Sequence, residues 1–515
     1  MTGREGAGVR ESDALDLDPK TAAGVRDVAV IDVGSNSVRL VVYRIEGRDF
    51  TPLLNDRAAA GIGRDLARTG ALYAPGAEAA LAAIRRFRLF LDARHVRDVR
   101  VVGTAAVREA SDAKPFIAAV EQAIGVKVRV LSGEQEGRYA GLGVLAGDPR
   151  ARGIVADLGG SSLELAPIED GQVRMPVTLL LGAFALTTRA NGDVKVARTL
   201  LDDALDGISI AMPERGALYV VGGAWRNFGK IAMALRDYPL KFLQGYEIAA
   251  EEASDIARFL AKQSPASISR MSEISRRRAE AMPFAATALE RLIKRLGARS
   301  VVISSSGLRE GILLESLPAR VRAADPLLAG IEAMARRAGA ELAFGRKLEG
   351  WIAPLTEAFG APFEPERRKR LFVAACRLGD VGGALHPDHR YELAAHRVLY
   401  AQFSGASHAE RVFLSRVVHH RYAGRKEPEQ DIALDRILTP EARDAALRLG
   451  LTIRLAGSIS SRASSLLSES RLELTAKELR LRLTSKGSVL ATEIVEKRLA
   501  QLAEALGRQA VIETR

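Results

Sequence analysis

The chain has 515 residues and a mass of 55.3 kDa, more than one hydrophobic core usually organises, which predicts two to three domains. Its 47% hydrophobic and 27% charged residues exclude collagen-like, disordered and disulfide-scaffold classes. Of the net charge of +12, residues 1–320 carry +5 and residues 321–515 the remaining +7, a bias that suits a polyanionic partner and equally well an arginine-rich solvated surface.

Residues 1–26 hold Glu5, Glu11, Asp13, Asp16 and Asp18 and no apolar leader-like run, so they are expected to be a disordered tail. No stretch has the uninterrupted apolar length of a membrane span, and the single cysteine, Cys376, lies in an apolar run; a cytoplasmic protein with an inert, buried thiol and no membrane partner is expected. From Asp27 to Leu313, β-branched runs alternate with Ala/Leu/Arg-rich stretches in the manner of α/β units. Strands are predicted at Asp27–Ile31, Val38–Ile45, Val99–Val102 and Val126–Leu131, with helices at Ala77–Asp92, Asp112–Ile124 and Gly133–Leu145.

The second half of this region repeats the first. The stretch from Ile31 to Leu40 and that from Ala156 to Leu165 share their spacing of Asp, Gly, Ser and Leu, 125 residues apart, and Val101-Val102-Gly103 is echoed by Val220-Val221-Gly222. An internal duplication predicts two similar lobes facing each other across a cleft, residues 27–150 and 151–317. After Leu317 the strand signals fade. Helices are predicted at Pro326–Gly339, Glu366–Leu378, Arg390–Phe403 and His408–His420, and a small α+β tail at Leu472–Arg482 and Ala491–Leu506, giving a mainly helical domain over 318–515.

An Asp-x-Gly turn between strands gathers backbone N–H groups and hydroxyls around a concavity that suits an anion. Gly34, Ser35, Asn36 and Ser37 form one such cradle and Gly159, Gly160, Ser161 and Ser162 the other. A hairpin wants the same residues for conformational reasons, so either copy alone is ambiguous, whereas two copies, each led by an aspartate, point to a phosphate clamp. Asp32 and Asp157 end apolar strands, where an uncompensated charge is costly; Asp157, with Glu164 on the returning strand, offers the hard oxygens that Mg²⁺ prefers. Arg108, in the loop after Gly103-Thr104, reads as a phosphate ligand or as a salt bridge to Glu109 or Asp112, and spacing favours the salt bridge. Ser132 and Gln135 fit a capping box; Glu136, one turn into that helix, is open to a water-orienting role and to a solvated face. Gly222-Gly223 and the Ser306-Gly307 junction are further helix N-termini suited to anions. His386, His389, His396, His419 and His420 lack a ligand spacing and read as a structural cluster, and Arg276–Arg278 and Arg367–Arg370 as solvated helix faces or, alternatively, a polyanion track.

The duplicated turns, the Ser132–Arg138 segment, the Gly222-Gly223 junction and Ser306-Gly307-Leu308-Arg309-Glu310-Gly311 together resemble the exopolyphosphatase and guanosine pentaphosphate phosphohydrolase family over about Asp27–Leu314, and more weakly beyond. The resemblance implies a duplicated, ribonuclease-H-like (actin-like) α/β core with a helical, HD-like C-terminal domain. It assigns Glu136 as the catalytic carboxylate, the two turns and Arg108 to phosphate, and Asp157 and Glu164 to Mg²⁺, while Asp32, Gly222 and Gly223 join the phosphate set from their own places at strand ends. It implies release of orthophosphate from inorganic polyphosphate or guanosine pentaphosphate, or an alarmone-binding regulator, in a homodimer with no specific nucleic-acid partner. The chain departs from the family at Gly379-Asp380, where longer members have His-Asp, and at Gln244-Gly245-Tyr246, where they have His-Gly-Tyr.

Overall fold

The computed structural model describes residues 24–271, 276–428 and 432–514, and the side chains of Arg276 and Arg277 lie outside that description, as does the N-terminal tail up to residue 23. The first sheet contains β1 (Arg26–Val33), β2 (Val38–Glu46), β3 (Asp49–Ala58), β4 (Asp98–Gly103) and β5 (Val128–Val130), in the order β3-β2-β1-β4-β5. The second contains β6 (Gly153–Leu158), β7 (Leu163–Glu169), β8 (Gln172–Val173), β9 (Val177–Leu179), β10 (Ala217–Val221), β11 (Tyr246–Ala249) and β12 (Ser300–Ile303), in the order β11-β12-β10-β6-β7-β8, with β9 also on β7. The duplication is explicit: β1 with β2 and β6 with β7 are antiparallel hairpins, and β4 and β10 join them in parallel from the same side.

Strand β1 reads as an unbroken apolar run because both of its faces are covered. Ala29, Ile31 and Val33 pack with Phe87 and Phe116 under the helices of their own lobe. Val28 and Val30 point the other way, into a core shared with Val155 of β6, Tyr139, Leu145 and Ile312. In β6 the alternation recurs, with Ile154, Ala156 and Leu158 buried in the second lobe. This shared core fixes one hairpin turn against the other. The sequence reading omitted β3, whose Pro52 and polar residues weaken the strand signal; it is an edge strand, where a missing N–H is tolerated, and its register shifts between Val42 and Tyr43.

Helices α1 (Ala74–Ala93) and α2 (Ala113–Ile124) cover the first sheet. Helix α3 (Gly133–Gly147) starts at the predicted capping box of Ser132 and Gln135. It is followed by α4 (Gly223–Leu235), α5 (Arg276–Leu296) and α6 (Leu308–Glu315). Helices α3 and α6 meet backbone to backbone: a Cβ on Gly143 would stand 2.0 Å from Gly307 O, and one on Gly311 2.0 Å from Tyr139 O. Only glycine permits that approach.

The C-terminal region contains α7 (Pro326–Arg337), α8 (Leu342–Ile352), α9 (Pro365–Arg377), α10 (Arg390–Leu399), α11 (His408–Ala423), α12 (Pro440–Ser460) and α13 (Glu493–Ala505), with β13 (Ser470–Leu474), β14 (Glu478–Leu483) and β15 (Gln509–Thr514) in a third sheet. Leu472, Leu479, Leu481 and Leu499 of the tail join the same core as Phe344, Phe372 and Phe413. Helix α10 ends at Leu399, short of the predicted Phe403, because the buried Arg411 guanidinium takes up the carbonyls of Val398, Leu399, Ala401 and Phe403 at 3.4, 3.2, 2.8 and 2.9 Å. Cys376 is buried among these helices. Among the described residues no helix is long and apolar enough to cross a membrane.

Candidate active site

The two Asp-x-Gly turns have one backbone geometry. Gly34 N donates to Ser37 O at 3.1 Å and Gly159 N to Ser162 O at 2.9 Å. Each turn follows a hairpin whose last strand pair is Val33 with Val38 or Leu158 with Leu163. The turns face each other closely enough for Ser161 Oγ to donate to Ser35 Oγ at 3.0 Å. Between them lies a cavity of about 480 Å³, lined by Gly34, Ser35, Asn36 and Ser37 from one turn and by Gly159, Gly160 and Ser162 from the other. Ser161 points to an adjoining crevice instead, where it stands with Phe184 and Arg64.

Asp32, Glu136, Asp157 and Glu164 all reach this cavity. Asp157 and Glu164 are direct cross-strand partners of β6 and β7, where like charges repel. Burial, with Asp32 close by, lifts Asp157 to about 6. Burial lifts Glu136 to about 8 even though its carboxylate is hydrogen-bonded and ion-paired to Arg108, with Asp157 and Asp32 adding to the rise. Glu164 is raised well above the carboxylate range by burial, Glu136 and Asp157, and its Oε1 is buried without a hydrogen-bond partner. A buried, unpartnered carboxylate oxygen beside two more acids calls for a proton or a cation. Asp157 and Glu164 would therefore suit a hard divalent ion such as Mg²⁺. Among the described residues no group of three or more His, Cys, Asp or Glu gathers to hold a metal by itself.

Cationic residues complete the lining. Arg309, in the first turn of α6, pairs with Asp32 at 3.4 Å, and Arg39, opposite Asp32 on β2, donates to Asn55 Oδ1 at 2.8 Å. Burial, then Arg309 and Arg226, lowers Arg39 to about 10; Arg226 is itself lowered by burial and Arg309. Lys230 and Arg278 line the cavity as well. This arginine set was absent from the sequence-based assignment. Its available signal was Arg226 and Arg309 in the first turns of helices that follow strand–glycine junctions, the same context that drew attention to Arg108.

Glycines 222 and 223 differ. Gly222 has φ 110° and a Cβ there would meet Leu158 O at 2.5 Å and Asp157 Oδ1 at 3.3 Å, so it is needed for packing behind the aspartate. Gly223 has nothing within 4 Å and opens to the cavity, at the N-terminus of α4. Arg108 does not line the cavity; it pairs with Glu109 at 2.9 Å, as spacing suggested, donates to Leu131 O at 2.8 Å and grips Glu136. Glu136 is thus buried at the cleft rather than on a solvated face, and Arg108 is its salt-bridge partner in the wall rather than a lining residue that meets phosphate.

Other motifs resolve differently. His419 Nε2 and His420 Nδ1 bond the carbonyls of Lys426 and Gly424 at 2.9 and 2.8 Å, and burial lowers both rings. The Arg367–Arg370 run is not simply a solvated face: Arg367 and Arg370 converge on buried Glu410, and Arg368 lies 3.7 Å from Glu357. Of Arg276–Arg278, only Arg278 lies within the description of side chains, at the cleft. Gln244, where the family has histidine, accepts from Ser305 N and Ser306 N at 2.7 and 3.3 Å and so holds the loop before α6.

Two lobes built on duplicated sheets, with paired glycine–serine turns and a carboxylate–arginine cleft between them, define an actin-like protein equipped to handle phosphoryl groups. The chain belongs to the Ppx/GppA phosphatase family, which residues 41–320 match, and residues 327–512 match the exopolyphosphatase C-terminal domain. It is 29% identical to retrograde regulation protein 2 of Saccharomyces cerevisiae over 73% of this chain and 68% of that one. It is 26% identical to the guanosine-5'-triphosphate,3'-diphosphate pyrophosphatase of Vibrio cholerae over 90% and 92%, and 25% identical to exopolyphosphatase 1 of Mycobacterium tuberculosis over 56% and 88%. A crystal structure of an exopolyphosphatase from Cytophaga hutchinsonii shares the fold, with a TM-score of 0.51 at 20% identity over 56% of this chain and 96% of that one.

Proposed function

We propose that the protein is an exopolyphosphatase that releases terminal orthophosphate from inorganic polyphosphate by attack of water. The observation that carries this reading is Glu136, a buried carboxylate with its affinity for a proton raised to about 8, set in a cavity flanked by two anion-cradling turns. A base with a pKa near neutrality both accepts and yields a proton at working pH. Glu136 takes the proton of the attacking water, the new oxygen–phosphorus bond forms, and the bridging oxygen departs with the shortened chain. Arg108 fixes the carboxylate's position, and the N–H groups of the two turns with the hydroxyls of Ser37 and Ser162 hold the terminal phosphoryl in line. Arg39, Arg226 and Arg309 offset the charge of the following phosphates. A Mg²⁺ ion held by Asp157 and Glu164 would neutralise charge developing on the phosphoryl oxygens.

A second reading, hydrolysis of guanosine pentaphosphate, is favoured by the near full-length match to the Vibrio cholerae protein. The step is the same with a nucleotide as leaving group. Phosphate release by the unsubstituted protein and by Glu136→Ala, with Mg²⁺, on long-chain polyphosphate and on guanosine pentaphosphate, separates the two. Release from polyphosphate that the variant loses supports the first reading, and release from the nucleotide alone transfers the assignment to the second. Equal rates in both proteins would remove Glu136 from the mechanism.

A further inference from the structure

Beside the turn after α9 lies a second cavity, of about 360 Å³, which shares no lining residue with the cleft. Five guanidiniums reach it, from Arg390, Arg421, Arg454, Arg462 and Arg498, against one carboxylate, Asp380. Asp380 stands where longer family members carry their His-Asp pair. Its charge is already engaged: it accepts from Arg462 Nη1 at 2.8 Å and from Glu341 N at 3.2 Å.

The other four arginines are held by neutral groups. Arg421 Nε donates to Gly379 O at 3.0 Å, and Arg390 Nε and Nη2 donate to Leu385 O at 3.2 and 3.0 Å. Arg454 donates to Tyr422 O and Arg498 to Ser458 Oγ. Among the described residues no carboxylate pairs with any of these four, and Arg454 Nε is buried with no hydrogen-bond partner. Burial together with Arg498 and Arg421 lowers Arg454 to about 10, and Arg421 is lowered by burial, against the opposing pull of Tyr422 and Asp380, with Arg498 and Arg462 adding to the lowering.

The fold makes room for this crowding. Helix α12 carries Gly457 against Arg421, where a Cβ would meet Nη2 at 2.4 Å. The Tyr422 ring lies 4.8 Å from the Arg421 guanidinium and 5.9 Å from that of Arg390, which helps to hold both in place. Gathering like charges in a partly buried pocket costs stability unless an anion offsets them, and planar guanidinium forks match phosphate oxygens in pairs. The cavity has room for more than one tetrahedral oxyanion.

We propose that this cavity is a second anion site, separate from the cleft, that binds a linear oligophosphate group of two or three phosphoryls, either free or carried by a nucleotide. Equilibrium dialysis of labelled pyrophosphate, tripolyphosphate and guanosine tetraphosphate against the full chain, without divalent cation, tests it. The Arg454→Met/Arg498→Met double variant and, separately, Arg390→Met, a half-buried position outside the helix core, are each expected to lose one binding equivalent per chain or to weaken it tenfold or more. The remaining salt dependence should be shallower. Loss of inorganic and nucleotide ligands alike identifies the shared oligophosphate chemistry as sufficient, and loss of the nucleotide alone assigns the site to the nucleotide. Isotherms unchanged in Arg390→Met and in a folded double variant overturn the proposal. The readout is the difference between variant and unsubstituted chain, so a cleft that binds no polyphosphate lowers the total without altering that difference.

Discussion

The two hairpin turns share a backbone and differ in the residue that faces the aspartate. Opposite Asp32 stands Arg39, and Arg309 adds an ion pair; opposite Asp157 stands Glu164, with Glu136 beside them. Duplication kept the cradle while the facing charge diverged. Asp32 thereby sits under a cationic wall, although burial still raises its affinity for the proton, whereas Asp157 and Glu164 gather with Glu136, whose close counter-charge is Arg108.

The largest expected effect falls on the acidic side. Glu136→Gln should lower turnover by about 10²–10⁴-fold, the range of general-base contributions, while leaving KM within a small factor. Steady-state phosphate release measures it, and retention of most of the turnover would break the assignment of the proton acceptor to Glu136.

Stability should respond with opposite signs in the two lobes. Asp32→Asn removes the ion pair with Arg309, leaving Glu310 as the nearby counter-charge; because burial already raises the proton affinity of Asp32 despite Arg309, the loss should be small, about 1 kcal/mol. Glu164→Gln removes a buried repulsive charge and should raise the melting temperature at pH 8 when no divalent cation is present. Thermal unfolding in chelator tests both; a melting temperature lowered by both variants would contradict the contrast.

The same asymmetry predicts a pH dependence. Folded-state affinities for the proton are raised from 4.5 to about 8 at Glu136 and from 3.8 to about 6 at Asp157. Their contribution to stability is therefore fully present below the unfolded values and is lost as pH rises through about 6 and then about 8. A Mg²⁺ ion held by Asp157 and Glu164 would compete with those protons, so any rise in melting temperature that it gives should grow between about pH 5.5 and pH 8. A shift that does not vary with pH would place the ion elsewhere.

The smallest expected effect separates two adjacent glycines. Gly223→Ala, at an open position in the cavity, should raise KM a few-fold with no change in melting temperature. Gly222→Ala, at φ 110° and 2.5 Å from Leu158 O, should unfold at markedly lower temperature. Equal melting temperatures would remove the packing role of Gly222.

Local signals carried much of this. The alternation of apolar runs with helical stretches marked most of the first-lobe elements, and Ser132 with Gln135 capped α3 as their chemistry demands. The paired Asp-x-Gly stretches disclosed the two turns that line the cleft, because a turn's conformational needs are written in adjacent residues. Edge strand β3 was illegible, since Pro52 and its polar residues interrupt the apolar pattern and most of the strand is only half-buried. Arg39, Arg226 and Arg309 were also missed, because nothing near them in the chain says that they share a cavity.

By itself, the sequence determined the duplicated architecture, the glycine–serine turns and the candidate acids, all set by short-range periodicity and by residue types that few conformations accept. Tertiary structure alone decided which charges oppose one another: that Asp32 meets Arg309 277 residues away, that Arg108 grips Glu136, and that five arginines gather around Asp380. The reason is physical. A buried charge takes its energy from every group packed around it, and those neighbours come together only when separate strands and helices close on one another.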